Sequence, residues 1–156
     1  MIAFVAAMVL SAVLSLRGGD RALLQGLARS GFAWEPPIAV AVLTGGLTCA
    51  AAAFIGNEAV QAAEPLGPNA ALWIGSFGLA AALVRFLSIQ RAVQLREPTR
   101  SIFAFGAVLL VLQSLDAVRL AVFAVAALTG EPLLAACGGF LGAPVGLAQS
   151  APEHGR

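Results

Sequence analysis

Two short stretches hold the groups of this chain that could do chemistry inside an otherwise apolar sequence. The first is Arg17-Gly18-Gly19-Asp20-Arg21, three charges around a glycine pair. The second is Gln113-Ser114-Leu115-Asp116-Ala117-Val118-Arg119. A charged side chain at the centre of a membrane helix costs roughly 2.5–3.5 kcal/mol on insertion scales, so such residues are seldom present without a use. Carboxylates, an amide and a hydroxyl are oxygen ligands suited to a hard cation, which makes Asp20, Asp116 and Gln113 the candidate ion ligands, with Ser114 a further oxygen. Arginine at three-residue spacing suits the opposite use. Asp20 lies three positions from Arg17 and Asp116 three from Arg119, a spacing that places each pair on one helix face. Arg17, Arg21 and Arg119 are therefore candidate charge partners for the aspartates, and Gly18 and Gly19 a candidate helix break.

The elements that must position these groups are read from composition. The 156 residues are 60% hydrophobic and only 11% charged, with a mean hydropathy of +0.91. Ordinary soluble domains carry about 25% charge, and the apolar runs are long and continuous rather than alternating as in a barrel. The expected class is all-α, a polytopic membrane protein of about five transmembrane helices in the lipid bilayer. The spans are expected at Ile2–Ala28, Pro37–Gly56, Ala70–Ile89, Ser101–Leu128 and Pro132–Ala148. The first and fourth are too long for a hydrocarbon core of about 30 Å, at 1.5 Å per residue, without tilting or breaking. Residues 57–69 read as a polar loop, and Gln149–Arg156 as a polar tail. Gly138, Gly142 and Gly146 recur every four residues, a small-residue face for close helix packing.

A net charge near zero gives no electrostatic footprint for nucleic acid. Cys49 and Cys137 each lie in an apolar run and read as small hydrophobes. No nucleophile–base pair, phosphate loop or metal-ligand cluster points to an enzyme, and no cofactor is expected. Arg29, Arg91, Arg96, Arg100 and Arg156 fall on one side of the predicted spans, while the other two loops hold only acids. The positive-inside rule makes the arginine side cytoplasmic, with the N-terminus outside and the C-terminus inside. The N-terminal apolar run lacks a basic flank and a cleavage site, and reads as retained.

Shifted against itself by 96 positions, the chain superposes Asp20 on Asp116, Glu35-Pro36 on Glu131-Pro132 and Gly46 on Gly142. Acids and prolines are scarce here, so these coincidences weigh more than the leucine matches around them. Three spans separate the copies, and an odd number reverses the second copy through the membrane. The expectation is an inverted-topology repeat (3+2), whose site falls near the bilayer midplane at broken helices. Residues 1–89 form the first repeat with three membrane helices, 90–100 a cytoplasmic loop, 101–148 a truncated second repeat with two helices, and 149–156 the tail.

At these residues the chain resembles the Golgi and bacterial manganese/calcium transporter family, cation–proton exchangers that carry Glu-x-Gly-Asp-(Lys/Arg)-(Ser/Thr) in each of two inverted three-helix repeats. Gly19, Asp20 and Arg21 match that pattern in the first copy, and Asp116 alone in the second. Where the family has glutamate, this chain has Arg17 and Gln113, and the hydroxyl positions are Ala22 and Val118. The resemblance implies a divalent cation transporter or exchanger with manganese or calcium as cargo, in the inner (cell) membrane of a bacterium. The residues themselves also support a second reading. Three positive charges against two negative disfavour a dry divalent site, so the fold would be kept for assembly or partner binding with the aspartates neutralised by arginine. Both aspartates are expected near the midplane, facing the bundle. The missing sixth span leads to one more expectation: self-association, or a partner membrane helix, on the face of Gly138, Gly142 and Gly146.

Overall fold

A computed structural model describes residues 1–15, 35–88, 102–114 and 116–148. These form six α-helices and one 3-10 turn. The helices are α1 (Ile2–Ser15), α2 (Glu35–Ala63), α3 (Ala70–Leu87), α4 (Ile102–Ser114), α5 (Ala117–Thr129) and α6 (Pro132–Ala148), with the 3-10 turn at Glu64–Leu66 after α2. Two helical stretches, Ala39–Leu66 and Ala70–Leu87, are long and apolar enough to cross a membrane, and α1, α5 and α6 are shorter apolar helices.

Three of the expected boundaries change. The second span begins at Glu35 and does not end at Gly56; the helix runs through Asn57 and Glu58 to Ala63. Asn57–Ala63 contains no proline, and its alanines and single valine cost a helix little, so the polarity that suggested a loop does not break the ladder. The 3-10 turn and Gly67, at φ 131°, end it instead. The fourth span is described as two helices, α4 and α5, with Asp116 outside both. Within the first span α1 ends at Ser15, and Arg17, Gly18, Gly19, Asp20 and Arg21 lie outside the described residues.

The core is built around α5. Its apolar residues are almost all alanine and valine, and Ala117, Val118, Ala121, Val122 and Ala124–Ala127 are all buried. A helix that is apolar all round belongs in an interior. α1, α2, α3 and α6 each pack against it. Gly130 closes the α5–α6 hairpin. It takes the left-handed conformation, φ 68°, and its N–H bonds Ala126 O at 2.9 Å, the usual use of glycine after a helix C-terminus. Pro132 then opens α6, at a position that needs no N–H.

Close approaches give the helix directions. A Cβ on Gly138 would collide with Phe4 O and one on Gly142 with Met8 O, so α1 and α6 run in the same sense with their backbones touching. The Met1 ammonium, 3.6 Å from Glu131 Oε2, marks the same end. Gly106 meets Val40, Arg119 meets Gly45 and Thr48, and Gly56 meets Phe123. The α4–α5 pair thus tracks along α2 in α2's own direction. Gly75 faces Leu128 and Gly78 faces Phe123 and Ala124, which sets α3 against α5. α6 is antiparallel to α5 through the hairpin, with Gly139 on Val122. Helices α1, α3 and α6 therefore point one way, and α2, α4 and α5 the other.

The glycine face of α6 has its partner within the chain. Gly138 and Gly142 are buried under α1, so this part of the small-residue face packs within the chain. A residue larger than glycine would collide there with backbone atoms of α1. The surroundings of Gly146 lie outside the described residues.

The outside of the bundle is apolar. Trp73 and Phe77 on α3 are 75% and 79% exposed, and Leu72, Leu83, Val84 and Leu87 share that helix's open surface. Val5, Val9 and Val13 on α1 and Leu43 and Leu47 on α2 are exposed as well. Arg85 is exposed near the end of α3.

Candidate functional site

The buried polar side chains among the described residues are seven: Ser11, Ser15, Thr44, Thr48, Gln113, Asp116 and Arg119. Three of them flank or open the break between α4 and α5. Gln113 is in the last turn of α4. Asp116 is the N-cap residue of α5, with extended backbone at φ −76° and ψ 152°. Arg119 lies one turn into α5.

Asp116 occupies the N-cap position through its backbone. Its carbonyl accepts hydrogen bonds from Arg119 N at 3.1 Å and Leu120 N at 3.2 Å, and its own N–H donates to Gln113 O at 3.2 Å. Its carboxylate does not cap the helix. It turns to Arg119 instead, whose Nη1 lies 3.4 Å from Asp116 Oδ2.

Arg119 is 4% exposed. Its Nε donates to Thr48 Oγ1 on α2 at 3.0 Å, and its Nη2 lies against Gly45, where a Cβ would stand 3.4 Å away. Thr48 has its own proton committed. Its hydroxyl donates within α2, to Thr44 O at 2.9 Å or Gly45 O at 3.1 Å, so it turns a lone pair toward Arg119. Thr44, one turn earlier, donates to Val40 O at 2.9 Å. The guanidinium is thus held between a carboxylate and a hydroxyl oxygen, both acceptors.

Of the sequence-predicted site residues, the structure brings Asp116 and Arg119 together and places Gln113 at the same break, buried at 1% exposure. Ser114 faces outward and bonds Leu110 O. Asp20, Arg17 and Arg21 lie outside the described residues. Sequence reasoning missed Thr48 and Gly45. The signal for them was faint: Thr44-Gly45-Gly46 and Thr48 are the only polar or glycine positions in the middle of an uncharged span. Ser11 Oγ is buried with no hydrogen-bond partner among the described residues, in contact range of Gly139.

Among the described residues no three His, Cys, Asp or Glu side chains come together as a metal group would require. Cys49 is buried on α2 and Cys137 exposed on α6, and no disulfide joins them. What the arrangement can do is hold one positive charge in an apolar interior, and here that charge is the chain's own. No protein-family model, curated protein or solved structure matches the chain.

Proposed function

We propose that this chain is a polytopic membrane protein with the inverted-repeat architecture of a cation transporter, in which arginine has taken the place of the transported cation, so that the fold serves assembly or partner binding rather than transport. The observation that carries this reading is the position of Arg119. Its guanidinium sits on Asp116 Oδ2 and Thr48 Oγ1, the acceptors a cation at this break would use.

Three further observations support the architecture. Large apolar side chains cover the outside of α1, α2 and α3, far more than the surface of a soluble monomer of this size normally carries as one continuous coat. Thr48 lies 13 residues after Glu35 and 15 before Ala63, so Arg119 meets α2 at its middle, where a bilayer midplane would fall. The shift of 96 pairs α1 with α4 and α2 with α6. Helix α1 packs on α6 as α4 packs on α2, and the repeat-related helices, α1 with α4 and α2 with α6, run in opposite senses, as an inverted repeat requires.

A second reading, retained transport of manganese or calcium, draws on the broken helix at Asp116. Discontinuous helices with a carboxylate at the break are where such transporters place their site. The charge count works against it. A divalent ion needs several oxygen ligands and net negative charge, and the only acid described at the break is already compensated. Uptake of manganese and calcium into liposomes carrying the purified protein decides between the two. We expect no uptake above protein-free liposomes. Uptake that disappears in Asp116→Asn establishes transport and overturns the proposal.

A further inference from the structure

The surroundings of Arg119 have the form of a binding site. Among the described residues, the groups that contact its guanidinium through a polar atom are acceptors: the carboxylate of Asp116 at 3.4 Å, and the lone pair of Thr48 at 3.0 Å, whose proton is spent within α2. No donor competes among these partners. On the α2 side Nη2 lies beside Gly45, at the distance of an ordinary van der Waals contact from where a Cβ would stand. Both acceptors belong to residues less than a tenth exposed, and they come from two different elements, α2 and the head of α5. Two desolvated oxygen acceptors converging from different elements suit a delocalised nitrogen cation, which sheds water more easily than an ammonium and matches oxygen acceptors with a rigid fork.

We infer that Asp116 and Thr48 form a cation site of guanidinium type, plugged by the chain's own Arg119, and that truncating this side chain opens the site to free guanidinium-class cations. The inference rests on the reading that Arg119 stands in for a cation. It assigns that site a ligand class, and it makes Arg119 a tethered, inhibitory occupant rather than a passive ion-pair partner. Arg119 is attached one turn from Asp116, so its effective concentration at the site excludes a competing free cation in the wild type.

The test uses the full chain, purified in detergent, and its thermal melting. The variants are Arg119→Ala, Arg119→Ala with Asp116→Asn, and Arg119→Ala with Thr48→Val. Each is melted in guanidinium chloride or sodium chloride at about 5 mM, where guanidinium's denaturing action, linear in molar concentration, is negligible. A ligand that binds only the folded state stabilises it by RT ln(1 + L/Kd), with L the free ligand concentration, and so raises the melting temperature. We expect guanidinium, and not sodium, to raise the melting temperature of Arg119→Ala, with no rise in wild type or in the double variant lacking Asp116, and a reduced rise in the one lacking Thr48. A rise of equal size in wild type, or one that survives loss of Asp116, overturns the inference, as does no rise in Arg119→Ala. Should Arg119→Ala fail to give monodisperse protein, it is extracted with guanidinium present throughout. Recovery with guanidinium but not sodium supports the site, and failure in both overturns it. Liposome uptake of manganese by the wild type would sink the non-transport reading without touching this binding result, so the two failures are distinguishable.

Discussion

Replacing Asp116 by asparagine tests the centre of this bundle most directly. The perturbation keeps shape and hydrogen-bonding capacity and removes one charge. At the observed Nη1–Oδ2 separation of 3.4 Å, two unit charges attract by about 5 kcal/mol at an effective dielectric of about 20. The pair is nearly buried, with side chains 4% and 11% exposed, so solvent screens little of this. The free Coulomb term is not the net contribution, because folding also removes both groups from water. Removing one partner is the costly change: it leaves Arg119 as an uncompensated charge, which typically costs 3–5 kcal/mol. Asp116→Asn should therefore destabilise by about 3 kcal/mol or more, and Arg119→Gln, which strands the carboxylate, by a similar amount. The double change Asp116→Asn with Arg119→Gln should cost less than either alone, since an amide pair of the same shape leaves no charge behind. Unfolding free energies from sodium dodecyl sulfate titration in mixed micelles give the four corners of the cycle. Single variants within about 1 kcal/mol of wild type, or a double variant whose cost is the sum of the two, would refute the reasoning, because the ion pair would then be neither desolvated nor coupled.

The remaining expectations concern packing and sidedness. Thr48→Val removes a neutral acceptor from Arg119 Nε; interhelical hydrogen bonds in membrane proteins average about 0.6 and reach about 1.7 kcal/mol, so its cost in the same titration should stay well below that of Asp116→Asn. Gly142→Ala sets a methyl against Met8 O, a backbone atom that cannot turn aside, and should destabilise by about 1–3 kcal/mol, in the range of overpacked cores. Gly46→Ala meets only the edge of the Phe140 ring at 3.4 Å and should lie within about 0.5 kcal/mol of wild type, as unstrained substitutions do; the reverse order of these two in melting experiments would contradict the described α1–α6 contact. Single cysteines at Gln94 and at Glu64, in a background with Cys49 and Cys137 replaced by serine, read the orientation: an impermeant thiol reagent added to intact cells should label the Glu64 site and spare the Gln94 site, and the opposite pattern would invert the positive-inside assignment.

The helices that the sequence made legible are those with hard ends. α3 and α6 begin at Ala70 and Pro132, close behind polar or proline residues, and their extents follow from where the apolar run starts. α2 was misjudged at its C-terminal end because Asn57 and Glu58 look like a loop, yet neither blocks the helical hydrogen bonds, and outside the hydrocarbon a polar helix is as well solvated as a polar turn. The fourth span was legible as too long and as charged near its centre, but not as two helices. The polar run Gln113-Ser114-Leu115-Asp116 marks where the apolar pattern is interrupted, but excess length allows tilting as well as breaking, and the pattern does not choose between them.

The charged centre was legible in one dimension only. Spacing along a helix places Arg119 one turn beyond Asp116, and that much follows from the sequence, since both residues ride the same helix. What it does not give is the third member. Thr48 is 71 positions away, and it reaches Arg119 because α2 and the α4–α5 pair lie alongside one another in register from Val40 to Gly56. Gly45 belongs to the same register. A glycine and a threonine in an apolar span look like lipid-compatible packing residues, and α2 does bury Thr44 as well. Their use depends on which face of α2 meets α5, and that is decided by the small residues of both helices together. The glycine face of α6 carries the same lesson from the other direction. Four-residue spacing foretells a close helix neighbour but not which one. The neighbour is α1, because Phe4 and Met8 present bare backbone carbonyls where Gly138 and Gly142 have no side chain. A close contact of this kind is made within the chain, and it leaves the buried charge at the head of α5, rather than the glycine stripe, as the feature on which the function of this bundle turns.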